Sequence, residues 1–174
     1  MKKKANNYAY IDGANLHKGV EEYVWELDYV RFRTYLLEKL GVQKAYLFLG
    51  LIPHYTNLYE FLQEAGYILV FKETTSDGSG NVKGNCDAEL VLKAVSDTYE
   101  DRFDSAILVS GDGDFRCLVD FWTDRKKIKR IIAPNYKKCS ILLKRTNVDI
   151  TYLNDIYRHI MSQNEKAPDA DGTA

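Results

Sequence analysis

The feature that most restricts the fold of this sequence is the alternation of short β-rich runs with longer amphipathic segments. The β-rich runs lie at 8–11, 44–51, 67–71, 105–109, 129–133 and 150–153. Such alternation is typical of βαβ units, in which helical crossovers join parallel strands. Because these crossovers are right-handed and no internal repeat interrupts the pattern, the sequence predicts an α/β fold, a three-layer α/β/α sandwich with a mainly parallel sheet.

Four amphipathic segments are predicted to be helices that cover this sheet. They are 28–40, 54–65, about 87–99, and a segment that begins at about residue 114. The first two end next to Gly41 and Gly66, at positions where a helix commonly ends with a left-handed residue. These glycines therefore mark predicted helix ends.

The length of 174 residues, with 45% hydrophobic and 28% charged residues, suits one globular domain. We expect that domain over 1–160 and a polar, disordered tail over 161–174. The polar, glycine-rich segment 73–86 predicts a mobile loop. Because no apolar run approaches about 20 residues and the run 8–11 is too short for a signal peptide, we predict a cytoplasmic protein without membrane contact.

The charge balance excludes a protein that coats nucleic acid through a generally basic surface. There are 24 Lys and Arg against 25 Asp and Glu, so any contact with nucleic acid must come from local patches. Candidate patches are 125–130, Lys137-Lys138 and Lys144-Arg145, close to the aromatic Tyr136. Most of these cations are expected to lie on a solvated surface.

Acidic residues follow two of the predicted strands directly. Asp12 comes after 8–11, and Asp112 and Asp114 come after 105–109 in the motif S-G-D-G-D-F, whose glycines allow a sharp turn. Since the carboxyl ends of parallel strands meet at one edge, where ligands bind in open α/β sheets, these aspartates are expected to lie together.

Asp87 is the fourth acidic candidate, and helical geometry favours it over Glu89. Its neighbour four residues later is Val91, so Asp87 lies on the face that packs toward the sheet. Glu89 is rotated about 200° away and is predicted to pair with Lys93. Each of Asp87, Asp112 and Asp114 taken alone could instead be an ordinary helix cap.

Four clustered carboxylates repel one another, and a hard divalent cation relieves that repulsion. An all-oxygen ligand set indicates Mg²⁺ or Mn²⁺ rather than zinc, which favours His and Cys. The three cysteines are odd in number and lack a C-x-x-C pair, so they indicate neither a zinc site nor a disulfide framework.

The motifs Y-I-D-G-A-N-L, K-G-N-C-D and S-G-D-G-D-F, in this order and spacing, resemble the NYN family. This family is a PIN-like nuclease group that includes the LabA-like proteins, and the resemblance spans roughly Tyr8 to Tyr152. It implies a PIN-like fold and metal-dependent cleavage of RNA. One departure is Asn85-Cys86, where an apolar residue is expected before the acidic position.

The resemblance also implies roles for individual residues. The family's acidic positions match Asp12, Asp87, Asp112 and Asp114, which would bind the metal ion and catalyse cleavage. Asn15 and Ser110 match its polar supporting positions, and Lys83 matches a lysine before the helix. Asn15 is expected to orient a carboxylate or a water, Ser110 to hold Asp112 or Asp114, and Lys83 to contact substrate phosphate.

The sequence thus leads to the hypothesis of a metal-dependent endoribonuclease acting mainly on single-stranded RNA. One alternative is a non-catalytic RNA-binding or regulatory module with the same fold. A phosphohydrolase of the haloacid dehalogenase type also carries an aspartate after its first strand. That class needs D-x-D, however, and D-G-A-N lacks the second aspartate.

Overall fold

The computed structural model describes residues 5–52, 54–73, 75–76, 82–83 and 85–162. The strands are β1 (Asn7–Asp12), β2 (Val42–Leu51), β3 (Tyr67–Glu73), β4 (Thr75–Ser76), β5 (Val82–Lys83), β6 (Ala106–Val109), β7 (Ile128–Ala133) and β8 (Ile150–Tyr152). Six of them form one sheet in the order β3-β2-β1-β6-β7-β8, and every neighbouring pair is parallel. The parallel sheet predicted from the alternating pattern is confirmed.

The helices are α1 (Gly13–Val20), α2 (Tyr29–Leu40), α3 (Thr56–Glu64), α4 (Asp87–Tyr99), α5 (Arg116–Asp124), α6 (Ile141–Lys144) and α7 (Tyr157–Ile160). Single 3-10 turns lie at Gly113–Phe115 and Leu153–Asp155. The four predicted helices correspond to α2 to α5, and Gly41 ends α2 with a φ of 70°. The pattern missed α1, α6 and α7, which are too short for a clear hydrophobic period.

Two hydrophobic cores lie on opposite faces of the sheet. Successive residues of β1 alternate between them, because side chains of a strand point to opposite faces. Ala9 and Ile11 pack with α1, α2 and α3, whereas Tyr8 and Tyr10 pack with α4 and α5. The molecule is therefore the three-layer sandwich that the sequence predicts.

The strand order reverses between β1 and β6. From β1 the chain passes to β2 and β3 on one side, and then α4 carries it back to β6 on the other side of β1. The connections that leave β1 and β6 diverge toward opposite faces, and in open α/β sheets this reversal opens the crevice where ligands bind. Asp12 ends β1, and the S-G-D-G-D-F motif follows β6.

The predicted mobile loop and the predicted disordered tail lie largely outside the described residues. Within 73–86 the structure describes a short antiparallel pairing of β4 with β5 and the residues just before α4. In the predicted tail, Met161 is buried and bridges Leu27, while 163–174 lie beyond the described part. None of the helices in the described ranges is both long and apolar enough to span a membrane.

Candidate metal and active site

Three aspartates bring carboxylate oxygens within 4.8 Å of one another at the reversal of strand order. Asp87 is the first residue of α4, while Asp112 and Asp114 belong to the loop after β6. Asp87 and Asp112 are half-buried and Asp114 is exposed. Three negative charges at this separation repel one another, so their arrangement favours binding of a cation.

Hydrogen bonds within the loop after β6 set the position of Asp112. Its Oδ1 accepts a hydrogen bond from the backbone N–H of Asp114 at 3.0 Å, and its own N–H donates to Ser110 Oγ at 3.1 Å. Asp112 thus caps the 3-10 turn, as the simpler interpretation predicted. A cap uses one carboxylate oxygen, so it is compatible with an ion bound through the other.

Asp12 lies beside this cluster rather than inside it. Its Oδ1 accepts from the Asn15 N–H at 3.1 Å and its Oδ2 from Ser110 Oγ at 3.2 Å. Burial raises the pKa of the Asp12 carboxyl above its ordinary value; the charges of Asp87 and Asp112 add to that rise, and the two hydrogen bonds oppose it. Asp12 is therefore within electrostatic reach of the cluster.

Asn85 positions Asp87, a role that the sequence interpretation missed. Its Nδ2 donates to Asp87 Oδ2 at 2.7 Å, and its Oδ1 accepts from the Asp87 N–H at 2.8 Å. Lys72 at the end of β3 donates through Nζ to the Asn85 carbonyl at 2.8 Å. The available signal was an asparagine two residues before a helical aspartate, since Asn commonly bonds the backbone two residues on.

The predicted pairing of Glu89 with Lys93 is wrong. Glu89 Oε1 lies 3.4 Å from Lys72 Nζ, and Lys93 Nζ lies 2.6 Å from Asp97 Oδ1. Helical spacing allows both Glu89 and Asp97 as partners of Lys93, and the tertiary contact between β3 and α4 decides between them. Of the two acids compared in the sequence, Asp87 is the one in the three-aspartate cluster.

The predicted supporting residues connect the two strand ends. Asn15 Oδ1 accepts from the Gly111 N–H at 2.8 Å, which ties α1 to the loop after β6. Ser110 Oγ stands between Asp12 and the backbone of Asp112. The backbone N–H of Asn15 thus contacts Asp12, whereas the Asn15 side chain binds the loop after β6. The side chain of Lys83 lies outside the described part of the structure.

The glycines at the site are required for close packing rather than for a left-handed backbone. A Cβ on Gly13 would lie 2.6 Å from the Phe48 carbonyl oxygen, and one on Gly113 would lie 3.1 Å from Ser140 Cβ. Positive φ occurs instead at the helix-ending Gly41 and Gly66. The glycines at the site were expected to allow a sharp turn, but in the structure they allow neighbouring segments to approach closely.

A cleft of about 880 Å³ opens from the acidic residues. Asp12, Asn15, Asp87 and Asp112 line its polar end. Its floor is the carboxyl end of β2, and its walls are α1, with His17 and Lys18, and the start of α3. The site is therefore one end of a longer groove with room for more than an ion.

Several of the predicted basic residues already have partners within the protein. Lys127 Nζ lies 2.6 Å from Asp101, and Lys138 Nζ lies 2.7 Å from Glu22. Lys144 Nζ lies 4.1 Å from the centre of the exposed Tyr136 ring. Tyr136 with Lys144 keeps the combination of ring and cation suited to single-stranded nucleic acid.

Comparison with known proteins identifies the family. No curated protein sequence matches this chain. A solved structure of a protein of unknown function from Vibrio parahaemolyticus has the same fold, with a TM-score of 0.70 and 20% identity over 93% of this chain and 99% of that one. The family profile described as NYN domain matches residues 8–164. This chain belongs to the NYN domain family.

Proposed function

We propose that this protein is a metal-dependent endoribonuclease that hydrolyses phosphodiester bonds of single-stranded RNA. The observation that carries the proposal is the cluster of Asp87, Asp112 and Asp114 at the strand-order reversal, in a chain of the NYN family. RNA as the substrate rests on the family. The cytoplasmic location stays a prediction from the sequence.

The donor set fits a divalent Mg²⁺ or Mn²⁺ ion. Each member of the cluster offers a carboxylate oxygen, the ligand type these ions prefer. We assign the ligand roles to Asp87, Asp112 and Asp114, with Asp12 completing the acidic set from beside them. When bound, such an ion lowers the pKa of a coordinated water and neutralises charge that develops on the phosphate.

The protein's own residues would hold this acidic set in a fixed geometry. Asn85 orients Asp87, Ser110 holds the backbone of Asp112, and Asn15 locks α1 against the loop after β6. Hydrolysis needs a water oxygen to attack phosphorus while the bond to the leaving ribose oxygen breaks. Such groups favour this step by positioning the reactants before the reaction.

The test uses labelled single- and double-stranded RNA and DNA with Mg²⁺, Mn²⁺ or EDTA. Wild-type protein is compared with Asp112→Asn and Asp12→Asn. The matched control is Asp149→Asn, because Asp149 is exposed, precedes β8 at the opposite edge of the sheet and pairs with Arg130. Circular dichroism verifies that each variant is folded.

We expect metal-dependent cleavage of single-stranded RNA by wild type and the Asp149 control. Asp112→Asn should lower the rate by about 1,000-fold, the upper end for losing one group that stabilises transition-state charge. Equal cleavage by all four proteins would mean a contaminating nuclease and would reject the assignment. RNA binding without cleavage under every condition would favour the non-catalytic RNA-binding or regulatory module.

A further inference from the structure

The cleft continues from the acidic residues into an apolar arm, which we define as Leu49, Ile52, Tyr55, Leu58, Tyr59 and Leu62. The acid-bound ion proposed above does not use this arm. We propose that the apolar arm is a subsite for one nucleobase of a single-stranded RNA whose neighbouring phosphate lies at the acidic cluster. The inference rests on the proposed function for the identity of the strand.

The apolar arm presents aromatic and aliphatic surface that a flat ring can cover. Tyr55 and Leu58 are each 44% exposed, although both line a concave cleft. Stacking on an aromatic side chain is tolerant of sequence because every base has a π-face. A base placed here would remove apolar surface of Tyr55 and Leu58 from water.

Tyr59 makes the wall of the apolar arm rigid. Its hydroxyl accepts from the Ile52 N–H at 2.9 Å, and its ring packs edge-on against Phe71 with centroids 4.7 Å apart. Ile52, which follows β2, is therefore tied to the side chain that lines the groove. A wall held in this way loses little conformational freedom when a ligand binds.

Lys18 supplies a cation on the α1 wall of the same cleft. Its neighbour His17 lies 3.1 Å from Glu21, whereas Lys18 is exposed and forms no salt bridge within the described ranges. A cleft that offers carboxylates, a cation and apolar surface matches a nucleotide strand, in which phosphates alternate with bases.

The continuity of the cleft favours a base over a protein side chain as the occupant. One cavity of about 880 Å³ joins the carboxylates to the apolar arm, within the size range of pockets for small ligands, about 300–1,000 Å³. Bases of a duplex are stacked and paired, so only an unpaired base can enter such a pocket. The apolar arm would therefore make the protein selective for single strands.

The experiment measures the affinity of full-length protein for a labelled eight-nucleotide RNA by fluorescence anisotropy. Ca²⁺ replaces Mg²⁺ as a hard, oxygen-ligated cation, and gels verify that the RNA stays intact. The variants are Tyr55→Ala and Tyr55→Phe. The matched control is Tyr99→Ala, since Tyr99 is 71% exposed and ends α4. A set of RNAs with one abasic nucleotide each is measured with every protein.

We expect Tyr55→Ala to bind about 5- to 150-fold more weakly, the range for losing one base–aromatic stack. Tyr55→Phe and Tyr99→Ala should bind as wild type does. For wild type, removing the base at one position of the RNA should weaken binding by a similar factor. For Tyr55→Ala, removing that same base should weaken binding no further, because the effects of removing two groups that contact each other are not additive.

The nucleobase subsite would be overturned if Tyr55→Ala bound RNA as tightly as wild type. It would also be overturned if the loss of affinity from Tyr55→Ala were additive with the loss from every abasic position. Such a result would leave the nuclease assignment intact if Asp112→Asn still abolishes cleavage. Conversely, a non-additive loss of affinity between Tyr55→Ala and one abasic position, with no cleavage by wild type, would support the subsite and reject the nuclease assignment. No RNA binding by wild type would overturn the subsite, and the cleavage assay alone would then decide the nuclease assignment.

Discussion

Two aspartates withdrawn from water, Asp97 and Asp12, have opposite surroundings. Asp97 is 1% exposed and lies on α4 against the core formed with α5. Asp12 is partly buried at the end of β1. Both are carboxylates removed from solvent, so both need compensation for lost hydration, but the protein compensates them differently.

Asp97 is compensated by cations and a phenol. Lys93 Nζ lies 2.6 Å from its Oδ1 and Arg102 Nε lies 3.6 Å from it, and Tyr10 donates to Oδ2 at 2.9 Å. Burial lowers the pKa of Lys93, but the hydrogen bond and charge of Asp97 outweigh it and raise that pKa above its ordinary value. The Asp97 cluster is a structural ion pair.

Among the described residues, the donors that bond the Asp12 carboxylate are the neutral groups of Asn15 and Ser110, and Asp12 faces the negative charges of Asp87 and Asp112. Within the described part of the chain, none of these three aspartates forms a salt bridge with Lys, Arg or His. Among the described residues, cations of the protein therefore neutralise the buried charge of Asp97, but none pairs with these aspartates of the candidate site. A bound metal cation would balance their negative charge.

The largest effect is expected at the structural ion pair. Asp97→Asn should lower the free energy of unfolding by about 3 kcal/mol, because it leaves Lys93 without its buried partner. Urea denaturation measures this. Asp120→Asn is the control, since Asp120 forms an exposed ion pair with Arg116 on α5 and such pairs contribute at most about 1 kcal/mol. Equal losses of unfolding free energy in Asp97→Asn and Asp120→Asn would show that the buried ion pair of Asp97 stabilises the protein no more than an exposed one.

An intermediate effect is expected from the cation itself. At about 100 times its dissociation constant, Mg²⁺ should stabilise wild type by about 2.7 kcal/mol, because a ligand that binds only the folded state shifts unfolding. Asp112→Asn should lose most of this gain, whereas Asp120→Asn should retain it. Thermal unfolding in Mg²⁺ and in EDTA measures this stabilisation. Equal stabilisation of Asp112→Asn would show that Mg²⁺ does not bind at the three-aspartate cluster.

The smallest effect is expected at Asp12 in the absence of metal. Asp12→Asn should stabilise the protein in EDTA by about 1 kcal/mol, because it removes a partly buried charge that faces two like charges. Urea denaturation in EDTA, with Asp149→Asn beside it, measures the change. Destabilisation by Asp12→Asn would show that its hydrogen bonds to Asn15 and Ser110 outweigh the repulsion.

The strands were predictable because their signal is local. Each predicted run overlaps a strand of the sheet with small differences at the ends, and Gly41 and Gly66 mark the helix ends as expected. The short α1 was missed because it contains Gly13 and Gly19, and glycine is a weak helix former. Tight packing against Phe48 and Pro134 instead explains these glycines, and such packing leaves no local signal.

The candidate site was predictable to the extent that strand ends and helix phase place side chains. Asp112 and Asp114 follow a strand and Asp87 begins a helix, and the three come together. Their catalytic role stays a prediction. The Asn85 contact to Asp87 and the contact of Lys72 with Glu89 were not foreseen, because each depends on how the segment before α4 meets the sheet.

The sequence by itself determined the elements, their order and the acidic residues at their ends, since periodicity, turn residues and strand ends are properties of neighbouring positions. Only the tertiary structure decided that β1 lies beside β6, which places Asp12 next to the three-aspartate cluster, and that the cleft at this site extends to Tyr55. The physical reason is that strand pairing and the balance of charge around a buried carboxylate depend on residues distant in sequence.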